Sequence, residues 1–356
     1  MSSSNSNRVS RRGFLAGVAA LPLAAQFTDL GSSAHSMEAG EGSVPPAGTH
    51  PPPPDRLVPP PRAGHRPGRV RELALVSRER DVEIAPGVRF KAWTYNGSVP
   101  GPVIRATEDD LVRVRFRNEA THAHTIHFHG IHRPAMDGVL EGVAPGESFV
   151  YEFRARPYGM HLYQCHSAPL AQHVQRGLYG AFIVDPPEPR RAAREVVMVL
   201  SAFDTNGDGA NEVYAINGSA FRYTRQPIRV RRAQTLRIYL ANLTENDLVN
   251  SFHLHGELFR LYRTGTDDRY EYTDTVMLCQ GERCILEIDF EHTGLYMFHS
   301  HQSAFADRGA MGWFNVVDSD EEAAAVEASL LQKYADEFSR CEPCLGELGA
   351  KALLKY

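Results

Sequence analysis

The chain has 356 residues, a formal charge of −5 and a pI near 6.3, so no excess of basic residues argues for a nucleic-acid partner. Hydrophobic residues make up 42%, enough to bury the cores of two domains of ordinary size. Sixteen histidines is a high count, and five of them fall between His122 and His132.

Residues 1–36 read as an address. Ser10-Arg11-Arg12-Gly13-Phe14-Leu15 precedes an apolar run from Phe14 to Ala25, too short to span a bilayer but suited to an export signal. The paired arginines followed by Phe-Leu resemble a twin-arginine signal, which predicts a periplasmic or extracellular protein. Ten prolines between Pro45 and Pro67 make residues 37–68 an extended linker without a core of its own. No later stretch is long and apolar enough for a transmembrane helix.

From Arg69 to about Asp318 the pattern is that of strands. Val112-Arg113-Val114-Arg115-Phe116, Ile228-Arg229-Val230-Arg231 and Leu236-Arg237-Ile238-Tyr239-Leu240 alternate with period two between Gly, Pro and Asn turns. The chain also repeats itself. Asn96-Gly97-Ser98 returns as Asn217-Gly218-Ser219, and His127-Phe128-His129-Gly130 as His253-Leu254-His255-Gly256. Gly146, Gly159 and His166 return as Gly281, Gly294 and His301, each 135 positions on. Two copies of one all-β sandwich are expected, over 69–187 and 195–318, with a junction near Pro186–Arg194.

Four segments place ligand-type side chains two apart: His127/His129, Gln164/His166, His253/His255 and His299/His301. On a strand such residues share a face, so each pair aims at one point, and imidazole is the commonest transition-metal ligand. Cys165, between Gln164 and His166, faces the other way. A cysteine with two histidines and a weak axial contact is the ligand set of a blue-copper centre. Cys165, His124 and His173 supply it, with Leu178 at the axial position. Leucine cannot coordinate, so a three-coordinate copper of raised reduction potential is expected. The second copy lacks this centre: Cys165 maps to Ser300, His124 to Asn250, and His173 falls near Arg308. Cys165 and His166, adjacent and opposite, would join two metal sites by a short covalent path.

Other signals are weaker. Asp204-Thr205-Asn206-Gly207-Asp208-Gly209 looks like the start of a calcium loop, but its twelfth position is Ala215 rather than Glu, and it reads as an inter-domain turn. Cys279 and Cys284 flank an expected hairpin turn, and Cys341-Glu342-Pro343-Cys344 is a C-x-x-C. In an oxidising compartment each pair is expected to close locally. Ser319 and Glu322 form a capping-box pattern that opens a helix running to about Phe338 within the tail 319–356.

"HTIHFHG", "YQCHSAPLAQH", "NSFHLHG" and "YMFHSHQ" together resemble the multicopper oxidases, in particular the two-domain, laccase-like kind with the blue copper in the first domain. The resemblance covers residues 70 to 318 and implies two cupredoxin domains. It implies electrons taken singly from a reductant at the type 1 copper. A trinuclear cluster then reduces O2 to water, with four coppers per chain when complete. His127 and His253 match the type 2 ligands of that family, and His129, His166, His255, His299 and His301 match type 3 ligands. A homotrimer is implied, with each cluster shared between domain 1 of one chain and domain 2 of the next. His173 would be where electrons arrive. The reductant stays open among phenols, Cu(I), Fe(II) and Mn(II). Gln164 departs from the pattern, because the family has histidine there; one type 3 position is thereby in doubt. A copper-carrying or electron-transfer protein with a degenerate cluster is the main alternative. Copper nitrite reductases share the two-domain plan but have an acid at the position of His127, a histidine at that of Gln164 and an axial methionine at that of Leu178.

Overall fold

The structure, a computed structural model, describes residues 57–62 and 68–338. The expected export signal, most of the Pro-rich linker and the Cys341/Cys344 pair lie outside the described residues. The first sandwich comprises β1 (Val70–Ala85), β2 (Val88–Tyr95), β3 (Ile104–Thr107), β4 (Leu111–Asn118), β5 (His127–Phe128), β6 (Ser148–Arg154), β7 (Gly159–Gln164) and β8 (Tyr179–Asp185). Helix α1 (Leu170–Gln175) lies between β7 and β8. The strands form two sheets, in the orders β2-β1-β4-β6 and β3-β8-β7-β5.

The second sandwich runs through β9 (Arg194–Phe203), β10 (Val213–Ile216), α2 (Arg222–Arg225), β11 (Ile228–Arg231), β12 (Leu236–Asn242) and β13 (Val249–Leu254). It continues with β14 (Phe259–Tyr262), β15 (Glu271–Thr273), β16 (Thr275–Cys279), β17 (Arg283–Ile288), β18 (Gly294–His299), α3 (Ser303–Asp307) and β19 (Met311–Val317). Its sheets have the orders β10-β9-β12-β17-β14-β15 and β11-β19-β18-β13-β16. The three alternating segments singled out in the sequence lie in β4, β11 and β12. The repeat is visible in the backbone: Asn96 and Asn217 have φ of 53° and 55°, and Gly159 and Gly294 of 138° and 140°.

Strand alternation distributes side chains among three cores. In β8, Phe182 and Val184 face the first sandwich, whereas Tyr179, Ala181 and Ile183 face a shared interface core. In β9, Val196, Met198 and Leu200 face the second sandwich, whereas Val197, Val199 and Phe203 face the interface. These strands are covered on both sides, which explains their near-continuous apolar runs. In β7 the same rule sends Met160 and Leu162 to the interface, and Tyr163 and Cys165 into the first core. The two sandwiches therefore meet through β7, β8 and the β1–β2 turn end of one and through β9, β12 and β17 of the other. Gly159 permits a close approach: a Cβ there would stand 2.5 Å from the Thr264 carbonyl oxygen. The backbone N–H of Met160 donates to that same oxygen at 2.8 Å.

A buried ionic cluster locks the junction. Arg105 on β3 holds Asp185 at the end of β8 through both carboxylate oxygens (2.8 and 2.9 Å) and Glu195 at the start of β9 at 2.7 Å. Glu195 also accepts from Arg237 (3.0 Å) and from the Tyr239 hydroxyl (2.8 Å). The hydrogen bonds to Asp185 and Glu195 outweigh burial and hold the Arg105 guanidinium firmly charged.

Two expectations are corrected. Asp204–Gly209 lies between β9 and β10, which pair antiparallel within one sheet of the second sandwich, so it is not an inter-domain turn. Cys279 and Cys284 are both unpaired. Cys279 pairs with Val249 in one sheet and Cys284 with Leu240 in the other. Their connection is a crossover between sheets rather than a hairpin, and it leaves Cys279 exposed and Cys284 in the core. Helix α4 (Asp320–Phe338) starts as the capping pattern predicts, with Ser319 Oγ accepting from Glu322 N at 3.2 Å. It lies on its own second sandwich, where Asn315 Nδ2 donates to the Ala323 carbonyl at 3.0 Å.

Removing Arg105 would leave Asp185 and Glu195 buried without their main counter-charge. Arg105→Met is expected to lower the unfolding free energy by about 3 kcal/mol, read as a lower urea midpoint. Arg269→Met, which breaks the exposed pair with Asp267, is expected to leave the midpoint in place. Equal midpoints for the two variants would remove the ionic cluster from the account of domain docking.

Candidate metal centres

Cys165 continues β7 by one residue, its N–H donating to the Leu178 carbonyl at 2.9 Å. Its sulfur points into the first core, 3.2 Å from His173 Nδ1 and 3.9 Å from His124 Nδ1. The two Nδ1 atoms are 3.1 Å apart, and all three side chains are buried. Burial, with the other histidine second, pushes the His124 imidazole down to about 3, and burial also lowers His173. Both rings are thus neutral donors at physiological pH. A thiol and two imidazoles converge with no cation among them, and two facing Nδ1 atoms have at most one shared proton to satisfy both. This donor set fits a soft or borderline metal such as copper. Leu178, fully buried, packs in the same core and offers no donor. Trp93 closes the outer side, its ring 4.9 Å from His173 and 5.3 Å from His124. His173 also lines an open cleft of about 650 Å³ with Trp93, His122, Leu140 and Pro169.

His127, His129 and His166 gather on the other side of β7. Their rings are near neighbours, His127 lying 5.0 Å from His129 and 5.4 Å from His166. His127 Nδ1 is held by the Asp137 carbonyl at 2.8 Å and by Asp137 Oδ1 at 3.2 Å, which leaves Nε2 to face outward. The His129 imidazole, pushed down to about 3 chiefly by burial, has an Nε2 with no partner.

The second sandwich repeats the arrangement. His253, His255 and His299 have ligand atoms within 4.8 Å of one another, and the His301 ring is 4.9 Å from that of His253. His253 Nδ1 bonds the Asp274 carbonyl (3.0 Å) and Thr275 Oγ1 (2.8 Å), while His299 Nδ1 bonds the Ser300 carbonyl (2.7 Å). Their Nδ1 atoms are thus engaged by the backbone or a hydroxyl, and the His299 Nε2 meets His255 Nε2 at 3.1 Å. These four side chains occupy the outer face of β11-β19-β18-β13-β16, whose inner face carries Phe252, Leu254 and Phe298 into the core. The sandwich of the same chain docks on the opposite sheet. No ring contact or hydrogen bond joins a histidine of the first set to one of the second among the described residues.

The strand register relates Gln164 to a position of the second copy. His127 pairs with Gln164 across β5 and β7, as His253 pairs with His299 across β13 and β18. Gln164 therefore stands where the second copy has a histidine. His161 does not replace it, being buried on the Cys165 side with its ring 5.9 Å from Phe182. In the second copy the buried centre is replaced by a polar chain. Ser300 Oγ donates to Asn250 Oδ1 at 2.7 Å, and Asn250 Nδ2 to Thr244 Oγ1 at 2.9 Å.

Three contributors were not singled out in the sequence. Asp137 orients His127, and only the conspicuous "MDG" after the histidine run could have flagged it. Thr125 Oγ1 accepts from His166 N (3.0 Å) as Ser251 Oγ does from His301 N (2.8 Å), a pairing visible only in three dimensions. Trp93, more than twenty residues from either histidine, carried no local signal.

Family models described as multicopper oxidase match residues 77–189 and 192–320. A crystallised multicopper oxidase is 47% identical, superposes with a TM-score of 0.70, and is matched over 74% of this chain and 95% of its own. The copper nitrite reductase of Nitrosomonas europaea is 26% identical with a TM-score of 0.66, over 70% of this chain and 95% of that one. A copper-containing nitrite reductase of Neisseria meningitidis is 29% identical over 282 residues, 73% of this chain and 72% of its own. With the two family models covering both sandwiches, the chain belongs to the multicopper oxidase family.

Proposed function

We propose that the chain is an exported copper oxidase that takes electrons singly from a reductant beside His173 and passes them to O2 at a cluster shared between chains. The observation that carries this reading is the back-to-back placement of Cys165 and His166, one in the buried triad and one among the outward-facing histidines. Copper, when bound, supplies the one-electron transfers by which a reductant is oxidised and O2 reduced to water. The protein does the rest. Cys165, His124 and His173 hold the first metal, while Leu178 and Trp93 exclude water from it. The backbone between Cys165 and His166 links the two faces of β7. Asp137 and the Asp274 carbonyl fix the tautomers of His127 and His253 so that Nε2 of each is the ligand atom.

His129 and His166 with His255, His299 and His301 would form the type 3 positions, and His127 with His253 the type 2 position. The two sets occupy surfaces that one chain does not bring together, which supports a cluster built by a neighbour's first sandwich docking on the outer sheet of the second. Such a contact is heterologous and stays finite only in a closed ring; a trimer is the ring proposed.

Gln164 favours a second reading, an electron-transfer or copper-carrying protein, because an amide oxygen is a poorer copper ligand than imidazole. Reoxidation separates the two. Copper-loaded protein is expected to be blue, to bleach on anaerobic reduction and to regain colour in air, and Cys165→Ser to be colourless yet folded. A colour that never returns in air supports the carrier; a blue Cys165→Ser protein removes the triad. Nitrite consumption under the same reductant, with O2 excluded, would point instead to the activity named for the nitrite reductase relatives.

Gln164→His is expected to raise copper per chain or the rate of O2 uptake. Unchanged or lower values would mean that the site is adapted to glutamine. For the shared cluster, His129→Ala and His255→Ala chains are each expected to be inactive alone. Co-expressed, they should form rings in which about a quarter of the interfaces join an intact first and an intact second sandwich. Activity should return in proportion, and its absence from verified mixed oligomers would place each cluster within a single chain.

A further inference from the structure

Tyr95 ends β2 and is fully buried in the first core, its ring close to those of Phe116 and Tyr163. Its hydroxyl donates to the Thr125 carbonyl at 2.5 Å. Thr125 is buried too and lies just outside the strands, between His124 of the triad and the outward-facing His127. Its N–H donates to Cys165 Sγ at 3.4 Å, and its hydroxyl accepts from His166 N at 3.0 Å. The following residue is held by another tyrosine, with Ile126 N donating to the Tyr151 hydroxyl at 2.9 Å. The Tyr95 phenol therefore fixes the one residue whose N–H reaches the sulfur. Burial, and after it the neighbouring Cys165, raise the Tyr95 pKa well above the ordinary phenol range, so the hydroxyl keeps its proton.

The second copy provides an internal comparison. Asn96-Gly97-Ser98 returns as Asn217-Gly218-Ser219, which puts Ile216 at the place of Tyr95, and the backbone bridge Tyr95–Ser98 recurs as Ile216–Ser219. Ser251 takes the place of Thr125 and keeps the bond from the following histidine, with His301 N donating to its Oγ at 2.8 Å. Its own N–H donates to Asn250 Oδ1 at 2.8 Å, since this copy has no sulfur. The hydroxyl clamp is thus common to both copies, whereas the phenol occurs only in the copy with the thiol. Packing does not ask for it, because Ile216 fills the equivalent place in an apolar core. A hydrogen bond donated to a metal-bound thiolate favours the reduced metal, which leaves more negative charge on the sulfur. We propose that Tyr95 is a positioning residue that, through Thr125, holds the N–H···S bond to Cys165 and so raises the reduction potential of copper bound by Cys165, His124 and His173. This rests on the triad as a copper site and on neither the reaction with O2 nor the contact between chains.

The test is an anaerobic redox titration of copper-loaded, full-length protein, followed through its blue absorption band. Tyr95→Phe, which removes a single oxygen, is expected to stay folded and blue, with a lower midpoint potential and a shifted sulfur-to-copper band. Tyr163→Phe is the control. It removes from the same core a hydroxyl that donates instead to the Pro102 carbonyl at 2.6 Å, and it should leave both values at those of the wild type. An unchanged potential and band in folded, blue Tyr95→Phe overturns the proposal. So does an equal shift in Tyr163→Phe, which would trace the effect to loosened packing. Near-UV circular dichroism reads the fold; if Tyr95→Phe fails to fold, Tyr95→Met, which also lacks a donor, is judged by the same two values. A wild-type protein that takes up copper without turning blue removes the triad as a copper site, and this proposal with it.

Discussion

The two-residue period of one strand governs the rest of this molecule. β7 must give its Met160 and Leu162 side to the second sandwich and its Tyr163 side to the first core. Beyond the interface the same alternation continues, so Cys165 enters the core while Gln164 and His166 emerge on the docking side. A slip of one residue would exchange the two sets and place a thiol in solvent and an imidazole among Tyr95, Phe116 and Phe182. The apolar burial on both faces of β7 holds the register, and the candidate metal donors inherit their directions from it.

The docking of the sandwiches has a second consequence. It uses β7 and β8 with the turn end of the β1–β2 hairpin of the first sandwich and mainly one sheet of the second, and the shared apolar core and the Arg105–Asp185–Glu195 cluster leave little freedom in how they meet. The sheet of the second sandwich that remains uncovered by the first is the one bearing His253, His255, His299 and His301. Close glycine contacts at Gly159 and Gly218 fix the approach: a Cβ on Gly218 would lie 2.1 Å from the Val99 carbonyl oxygen. The placement of the histidine sets on separate surfaces is thus a property of the interface rather than of either sandwich.

Duplication explains how one copy holds a buried thiol-imidazole triad and the other does not. Asn250, Ser300 and Thr244 satisfy one another by hydrogen bonds in a site that is fully buried, so the second copy needs no ion to keep its polar groups paired. In the first copy Cys165, His124 and His173 cannot all be paired among themselves. The outward-facing histidines were retained in both copies apart from Gln164, whose position opposite His127 is that of His299 opposite His253.

Much of this was legible in the chain of residues. Period-two alternation marked β4, β11 and β12. The 135-residue offset marked the duplication, and the i, i+2 spacing told which side chains share a face, because each of these is a local property of a pleated strand. Spacing alone also put Cys165 and His166 on opposite faces. Long-range packing decided the remainder. That Gln280–Glu282 crosses between sheets and keeps Cys279 from Cys284 depends on pairing with Val249 and Leu240, far off in sequence. The contributions of Trp93 and Asp137 to their sites arise where separate elements converge. Which sheet face the first sandwich covers, and hence where the second histidine set points, was set by apolar burial and ion pairing between domains, which no local pattern encodes.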